Sequence, residues 1–434
     1  MQESSLTGAL NVAVLSSAPS GGAGIAALRV KAALVSDPEL SVDFIDIASL
    51  SCRVSEDSVP QQSMSNRQLT NTHFTAEYPG HVRGWFIEIL SRYDVLNIHW
   101  ASGLISLGEI DELSRRDIAV LFTCHDYYYF TGGCHYPAGC GRNSTGCLSC
   151  PQVDRSCVPL DLTARNLRWK QKIIARPNVH LCAPSRFLMN EAVKSGLIAS
   201  EKTHVLRNPY EPEAGIRVLE TAKVIKIVLI ADSFAERRKG MSLAVESLLE
   251  AHRRMAATKS DSRPFRIDVI GRVDEDLKEA LKTAELEYAL HGRTEDHREL
   301  AGILASAQLL LTCSFEDNWP NVLVEAGAYG VIPIVGPGHG CEEFVRESGS
   351  GWVSREYNAQ AFADAIMSGI RDYCCEMAER HRANVIDIHD PVRVRRQYVE
   401  VFRQILSRGV DERVVESGGQ NDNPATPLAF IRDA

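Results

Sequence analysis

The residues best suited to chemistry lie in short clusters at the ends of apolar runs. In DSFAERRKG, Arg237, Arg238 and Lys239 stand together before Gly240 and an amphipathic helix. Three fixed cations in that position form a receptor for a diphosphate and need no metal, while the same letters also suit a solvated loop. In FEDNWPNVLVEAGAYG, the acids Glu316 and Asp317 precede Pro320, which can open a helix, and Glu325 falls in the first turns of that helix. Acids one helical segment apart suit hydrogen bonds to sugar and ribose hydroxyls, though an acid at a helix start is also favoured by the helix dipole alone. His125, in TCHD after the run IAVLF, can donate to a sugar or phosphate oxygen, or bond a neighbouring loop. Gly21, Gly22 and Gly24 mark a strand-to-helix turn whose free N–H groups can face a phosphate. Their spacing is not GxGxxG, and a purely structural tight turn fits it equally.

Cysteine is concentrated in one place. Of 12 cysteines, Cys134, Cys140, Cys147 and Cys150 follow the pattern C-x5-C-x6-C-x2-C, with Cys157 and His135 nearby. In a reducing compartment this predicts a structural zinc held by the four thiolates, stapling a loop over 132–157 that has few large apolar residues; unpaired thiols are the alternative. The scattered cysteines, including Cys52, read as small packing residues. The helix-like segment TARNLRWKQKIIARP carries Arg165, Arg168, Lys170, Lys172 and Arg176 without an acid. It reads either as a patch for anionic lipid or as an ordinary solvated face.

The elements that must position these clusters follow from the hydropathy pattern. The runs ALNVAVLS, VDFIDI, DVLNIHW, IAVLFTC and NVHLCAP, then VIKIVLIA, RIDVIG, AQLLLTC and VIPIVG, do not alternate and are separated by helix-sized segments. They predict parallel strands covered on both faces, twice over: an α/β chain of two Rossmann-like units. The stretch RNPYEPEAGIRVLETAK separates the two sets. The expected division is 9–206, 207–385, a C-terminal helix over 386–408 and a flexible tail over 409–434. The chain has 434 residues with 44% apolar, and its 47 Lys and Arg against 56 Asp and Glu leave a net charge of −9. That balance argues against nucleic acid as a partner and makes any anion site local. No apolar run approaches the roughly 20 residues that span a bilayer. No Lys or Arg precedes the first short apolar run, which leads into the Gly-rich turn rather than a cleavage site; the expectation is a cytoplasmic protein.

Taken together, the Gly-rich first turn, the His125–Asp126 pair, RRKG, HGRTEDHRELAGILASAQLLLTCS and EDNWPNVLVEA resemble the retaining glycosyltransferases of family 4, over roughly Asn11 to Gln404. NIHWASGLIS and the Cys-rich stretch are similar to a bacterial subgroup that builds exopolysaccharide, capsule or O-antigen. The resemblance implies the GT-B fold, two Rossmann-like domains facing each other across a cleft, with the C-terminal helix crossing back to the first. It implies transfer, with retention, from a UDP- or GDP-linked sugar bound on the second domain to a glycan or lipid-linked acceptor on the first. No cofactor is required for catalysis. Peripheral contact with the inner face of the cell membrane fits such an acceptor.

Residue by residue, the resemblance gives Lys239, with Arg238, to the diphosphate and Glu325 to the ribose. Asp317 takes the place of the first acid of an E-x7-E pattern, Asn318 lies against the sugar, His125 beside it, and Gly22 near the diphosphate. The family's Arg five residues before the Lys falls at Phe234, which leaves Arg238 or Arg237 as the replacement. The same donor motifs would also serve a nucleotide-sugar epimerase or hydrolase, and the fold would serve a non-catalytic module of a polysaccharide assembly complex.

Overall fold

In a computed structural model of the chain, the described residues are 9–50, 61–63, 73–78, 80, 82–153, 161–216, 223–234, 236–258, 263–273, 275–283, 286–294 and 296–418. In chain order their strands are β1 Leu10–Ser16, β2 Leu40–Ile45, β3 Gln61–Ser63, β4 Thr75–Glu77, β5 Val95–Trp100, β6 Ala119–Thr123 and β7 Val179–Ala183. Then come β8 Thr203–Val205, β9 Ile225–Ser233, β10 Phe265–Arg272, β11 Tyr288–Gly292, β12 Leu309–Thr312, β13 Ile332–Val335 and β14 Trp352–Val353. They form two six-stranded sheets, ordered β2-β1-β5-β6-β7-β8 and β11-β10-β9-β12-β13-β14, plus the pair β3-β4. Every pairing given for β9 to β14 is parallel, as is every pairing given within the first large sheet.

The unalternating runs become strands because helices cover both faces of each sheet. Every residue of β6, β7, β12 and β13 is buried. One face of the first sheet packs on Phe86, Leu90, Leu104 and Ile110. The other packs on helix Gly21–Val35 and on the C-terminal helix. In the second sheet, helices Met241–Thr258 and Ala359–Asp372 cover one face and helices His297–Ala305, Asn321–Gly327 and Gly340–Ser348 the other. This is the expected two-domain α/β architecture.

The end of the chain departs in detail from the helix expected over 386–408. Helix Cys375–Ile388 stops, and a second helix, Pro391–Gly418, begins at the proline. Proline has no N–H to continue the first ladder but is well suited to a first turn. The turn lets Val394, Tyr398, Phe402 and Ile405 reach back to Val12, Val14 and Leu121 of β1 and β6. The helix extends ten residues beyond the expected end at 408, and 419–434, the rest of the expected tail, lies outside the described residues. Among the described residues no helix is long and apolar enough to cross a membrane.

The return of this helix is an energetic feature of the first domain. Phe402 is fully buried, so Phe402→Ala should lower the unfolding free energy by about 3–5 kcal/mol. Val392→Ala, at an exposed place on the same helix, should change it by less than about 0.5 kcal/mol. Urea denaturation checks both, and an equal effect of the two would contradict the packing described.

Candidate active site between the two sheets

The carboxyl ends of the strands of both sheets carry the chemistry-bearing loops, and these meet. After β9 the chain makes a single turn, Arg237–Lys239, and reverses at Gly240 with φ of 64°. A Cβ at Gly240 would stand 2.1 Å from the carbonyl oxygen of Cys313, so only glycine allows the turn to press against the end of β12. That approach places the cations on the loop 314–320. Lys239 Nζ donates to Asp317 Oδ2 at 2.6 Å, and Arg238 Nη1 to the same oxygen at 3.2 Å and to the Glu316 carbonyl at 2.6 Å. Glu236 takes the other side of Arg238, at 2.9 and 2.7 Å. Arg237 is exposed; of the two arginines, Arg238 is the one turned inward.

Asp317 is buried, which by itself raises a carboxyl pKa, but Lys239 and Arg238 more than offset this and hold it below its ordinary value of 3.8. Arg238 is likewise buried against its charge, and Tyr136, Asp317 and Glu236 hold it in the charged form. Its guanidinium lies 3.9 Å over the ring of Tyr136, which comes from the first half of the chain.

The loop and the helix after it reach across the cleft at several points. Asn318 donates to the Cys124 carbonyl at 3.2 Å and bonds Ser185 through its side-chain oxygen. Its carbonyl has room because position 340 is glycine, where a Cβ would lie 1.2 Å away. Asn321 donates to the Gly22 carbonyl at 3.0 Å. Glu325, from helix Asn321–Gly327, pairs with Arg29 of helix Gly21–Val35 at 2.6 Å. Glu343 accepts the first free amides of helix Arg186–Lys194, from Arg186 and Phe187, at 2.8 and 2.7 Å. Glu316 accepts from the amides of Ala138 and Gly139 at 3.1 and 3.3 Å. Arg29 and Tyr136 were not expected from the sequence to matter, and Glu316, singled out there as an acid for sugar hydroxyls, is instead bonded to the amides of the cysteine loop. Their contacts span up to 296 residues, and no local spacing records them.

His125 is half-buried between buried neighbours. Its Nε2 lies 2.9 Å from Nδ1 of His99. Burial pushes its pKa down to about 4, with Asp126 pulling the other way. Asp126 is spent on the loop itself, accepting from the Tyr128 amide at 2.8 Å and from His135 Nδ1 at 2.7 Å. The ring of His135 stacks between Trp100 and Tyr128. Burial raises the Asp126 pKa, and attraction to His135 leads the effects that turn the net shift downward.

The four cysteines of the Cys-rich loop come together in the structure. Cys134, Cys140, Cys147 and Cys150 are free thiols lining one cavity of about 20 Å³. Yet among the described residues no group of three or more His, Cys, Asp and Glu side chains is placed to hold a metal ion. Burial raises the thiol pKa of Cys134 and Cys147, and pushes that of Cys150 up to about 11. Hydrogen bonds also order the loop. Lys170 donates to the carbonyls of Tyr128 and Thr131 at 2.6 and 3.2 Å, Thr131 to that of Cys134 at 2.7 Å, and Arg142 to those of Leu148 and Ser149. Cys52 and Cys157 lie outside the described residues.

The five-cation patch is likewise divided. Lys170 is buried, Arg165 pairs with Asp161 at 3.1 Å and Arg176 with Asp111, which leaves Arg168 and Lys172 as its exposed, outward-facing members. The sequence counts cations on a helix but not which side faces the core.

Comparison with known proteins bears on the fold and on the second half of the chain. Residues 221–387 match the family model described as glycosyl transferases group 1. The chain is 23% identical over 281 residues to WcaC of Escherichia coli (strain K12), provisionally described as a colanic acid biosynthesis glycosyl transferase; the match covers 62% of this chain and 64% of that one. The chain thus spans less than two thirds of that relative's length. Among solved structures it is similar to HepE of Anabaena, with a TM-score of 0.60 at 15% identity over 91% of this chain and 100% of the other. It is also similar to sucrose-phosphate synthase of Thermosynechococcus elongatus, with a TM-score of 0.60 at 14% identity over 92% and 99%. The shared architecture is the GT-B fold.

The buried titratable groups fix how stability depends on pH. Histidines lowered in the fold, His125 to about 4 and His389 to about 3, contribute stability that is complete above their unfolded value of 6.5 and lost as pH falls below it. Asp126 and Asp317, held below 3.8, add a second loss as pH falls through and below that value. Melting temperatures across this range should fall in two stages. Asp317→Asn should reduce the lower stage only; a flat profile down to about pH 4 would contradict the assignment.

Proposed function

We propose that the chain is a glycosyltransferase that moves a sugar from a nucleotide-sugar donor to a glycan or lipid-linked acceptor, with retention of configuration, in bacterial polysaccharide assembly. The observation that carries the reading is the set Arg238, Lys239 and Asp317 at the carboxyl edge of the second sheet, within the matched segment 221–387. Open α/β sheets bind ligands at that edge. HepE has been solved with UDP and with UDP-glucose, which supports a uridine diphosphate sugar ahead of a guanosine one. In this reading 207–385 binds the donor and 9–206 the acceptor. The protein works on the cytoplasmic side, and any membrane contact is peripheral and made through the acceptor.

The mechanism follows from charge. Cleaving the bond between the anomeric carbon and phosphate leaves positive charge on the sugar ring and negative charge on the departing diphosphate. Fixed cations at that diphosphate lower the barrier. Lys239 is still about a quarter exposed, so it meets the diphosphate directly, while buried Arg238 supports it from behind. Asp317 aims the Lys239 ammonium and helps hold the buried Arg238 guanidinium in its charged form in the absence of ligand. Glu325 takes the ribose hydroxyls once its pairing with Arg29 opens, Asn318 and His125 border the transferred sugar, and Gly22 lies near the diphosphate. Attack by the acceptor from the face the phosphate leaves accounts for retention, the phosphate taking the acceptor's proton.

Lys239→Ala and Glu325→Ala should each reduce transfer about a hundredfold or more with the fold intact by circular dichroism. A panel of nucleotide sugars with a lipid-linked acceptor, read by released nucleotide and by product, makes the test. Near-normal transfer by both variants would overturn the site, and nucleotide release without a glycosylated product would point to a hydrolase. Transfer should also survive a weak chelator of Mg²⁺ and Mn²⁺, since side-chain cations do the neutralising.

A further inference from the structure

Behind His125 runs a chain of hydrogen bonds whose directions are all determined, and it starts at a group with no choice. The carbonyl of Leu121 can only accept, and the Asn97 side chain lies 3.3 Å from it and 2.8 Å from Thr123 Oγ1. The NH₂ of Asn97 must therefore face these two, and its Oδ1 must face the other way, where it meets Nε2 of His99 at 2.8 Å. An amide oxygen only accepts, so His99 carries its proton on Nε2. His99 is 1% exposed. Neither of its two contacts is a carboxylate, and the carboxylate beside His125, that of Asp126, is occupied by His135 and the Tyr128 amide. A second proton on His99 would be an unpaired buried charge, so its Nδ1 is bare. Nδ1 of His99 lies 2.9 Å from Nε2 of His125, and a bare nitrogen there requires the proton to sit on His125 Nε2. The proton count then leaves Nδ1 of His125 without one.

We infer that His99, aimed by Asn97, is a positioning residue that locks His125 in one tautomer, so that His125 presents a hydrogen-bond acceptor and never a donor to its ligand. This reverses the sequence-based expectation that His125 donates to a sugar or phosphate oxygen. An acceptor nitrogen repels a phosphate or carboxylate oxygen and binds a hydroxyl. Given the reading under Proposed function, which this inference deepens, the contact is a hydroxyl of the transferred sugar. A donor in which that hydroxyl is replaced by hydrogen is then disfavoured, because it leaves the nitrogen unpaired. The downward pKa of both imidazoles agrees with the neutral pair. Asn97 and His99 stand two residues apart on β5, and Leu121 and Thr123 two apart on β6, so the members on each strand share one face of the sheet.

The test is nitrogen NMR of the full chain labelled with ¹⁵N-histidine, with the His125 signals assigned by their loss in His125→Gln. In the wild-type protein near neutral pH, His125 should show a protonated Nε2 and an unprotonated Nδ1. His99→Phe, which removes the acceptor, should mix the two tautomers and lower transfer about tenfold. His99→Gln, whose amide oxygen can accept from His125 while its NH₂ donates to Asn97, should keep the single tautomer and most of the transfer. A proton on Nδ1 in the wild type, or an unchanged tautomer in His99→Phe, would overturn the inference; the wild-type spectrum decides even if the variant does not fold. The spectrum does not depend on activity. A correct tautomer with normal transfer by His125→Gln would leave the relay standing and remove His125 from the sugar.

Discussion

Asp317 sits where two cations from one turn meet a loop from the neighbouring strand, and the rest of the cleft is arranged around that contact. Arg238 and Lys239 both donate to its Oδ2. Removing a partner from a buried ionic group of this kind costs about 3–5 kcal/mol, because the remaining charge cannot be hydrated. The arrangement also needs two absent side chains. Glycine at 240 lets the cationic turn touch the end of β12, and glycine at 340 lets the Asp317–Asn318 backbone lie against the start of the next helix. Charge and close packing together hold the loop against the end of β12 and the start of helix Gly340–Ser348.

That loop then governs how the two halves face one another. Glu316, Asn318, Asn321 and Glu325 follow one another along one stretch of chain, and each bonds the first half. Groups on the first half answer with main-chain atoms in three of the four cases, joined at Asn318 by the Ser185 hydroxyl, and with Arg29 in the fourth. A donor that claims Glu325 must release Arg29, one Nη of which is buried without a hydrogen-bond partner. In the proposed reading, donor binding at Glu325 competes with this contact across the cleft.

The fold was legible where burial leaves a mark on the letters. Nine runs without alternation became β1, β2, β5, β6, β7, β9, β10, β12 and β13. The strands that escaped are THV at β8, YALHG at β11 and WV at β14, edge strands that are mostly half-exposed, together with the short pair β3 and β4. They are too short or too polar for a periodicity to show. At the site, Lys239, Asp317 and Glu325 could be located because each follows a recognisable strand. Arg29 could not, since one arginine on a mostly apolar helix carries no sign of a partner 296 residues away. Lys170 was misjudged for a related reason: it is a cation in a basic helix, but it points inward to carbonyls of the cysteine loop.

Hydrogen exchange measured by mass spectrometry, with and without UDP or GDP, tests the central claim most directly: the cleft at the carboxyl ends of the two sheets is the nucleotide-sugar site. The account predicts slower exchange in residues 237–240, 316–326 and the Gly22 turn when one of the two nucleotides is added, with the strands of both sheets unchanged. No binding of either nucleotide, or protection confined to surfaces away from these loops, would contradict it.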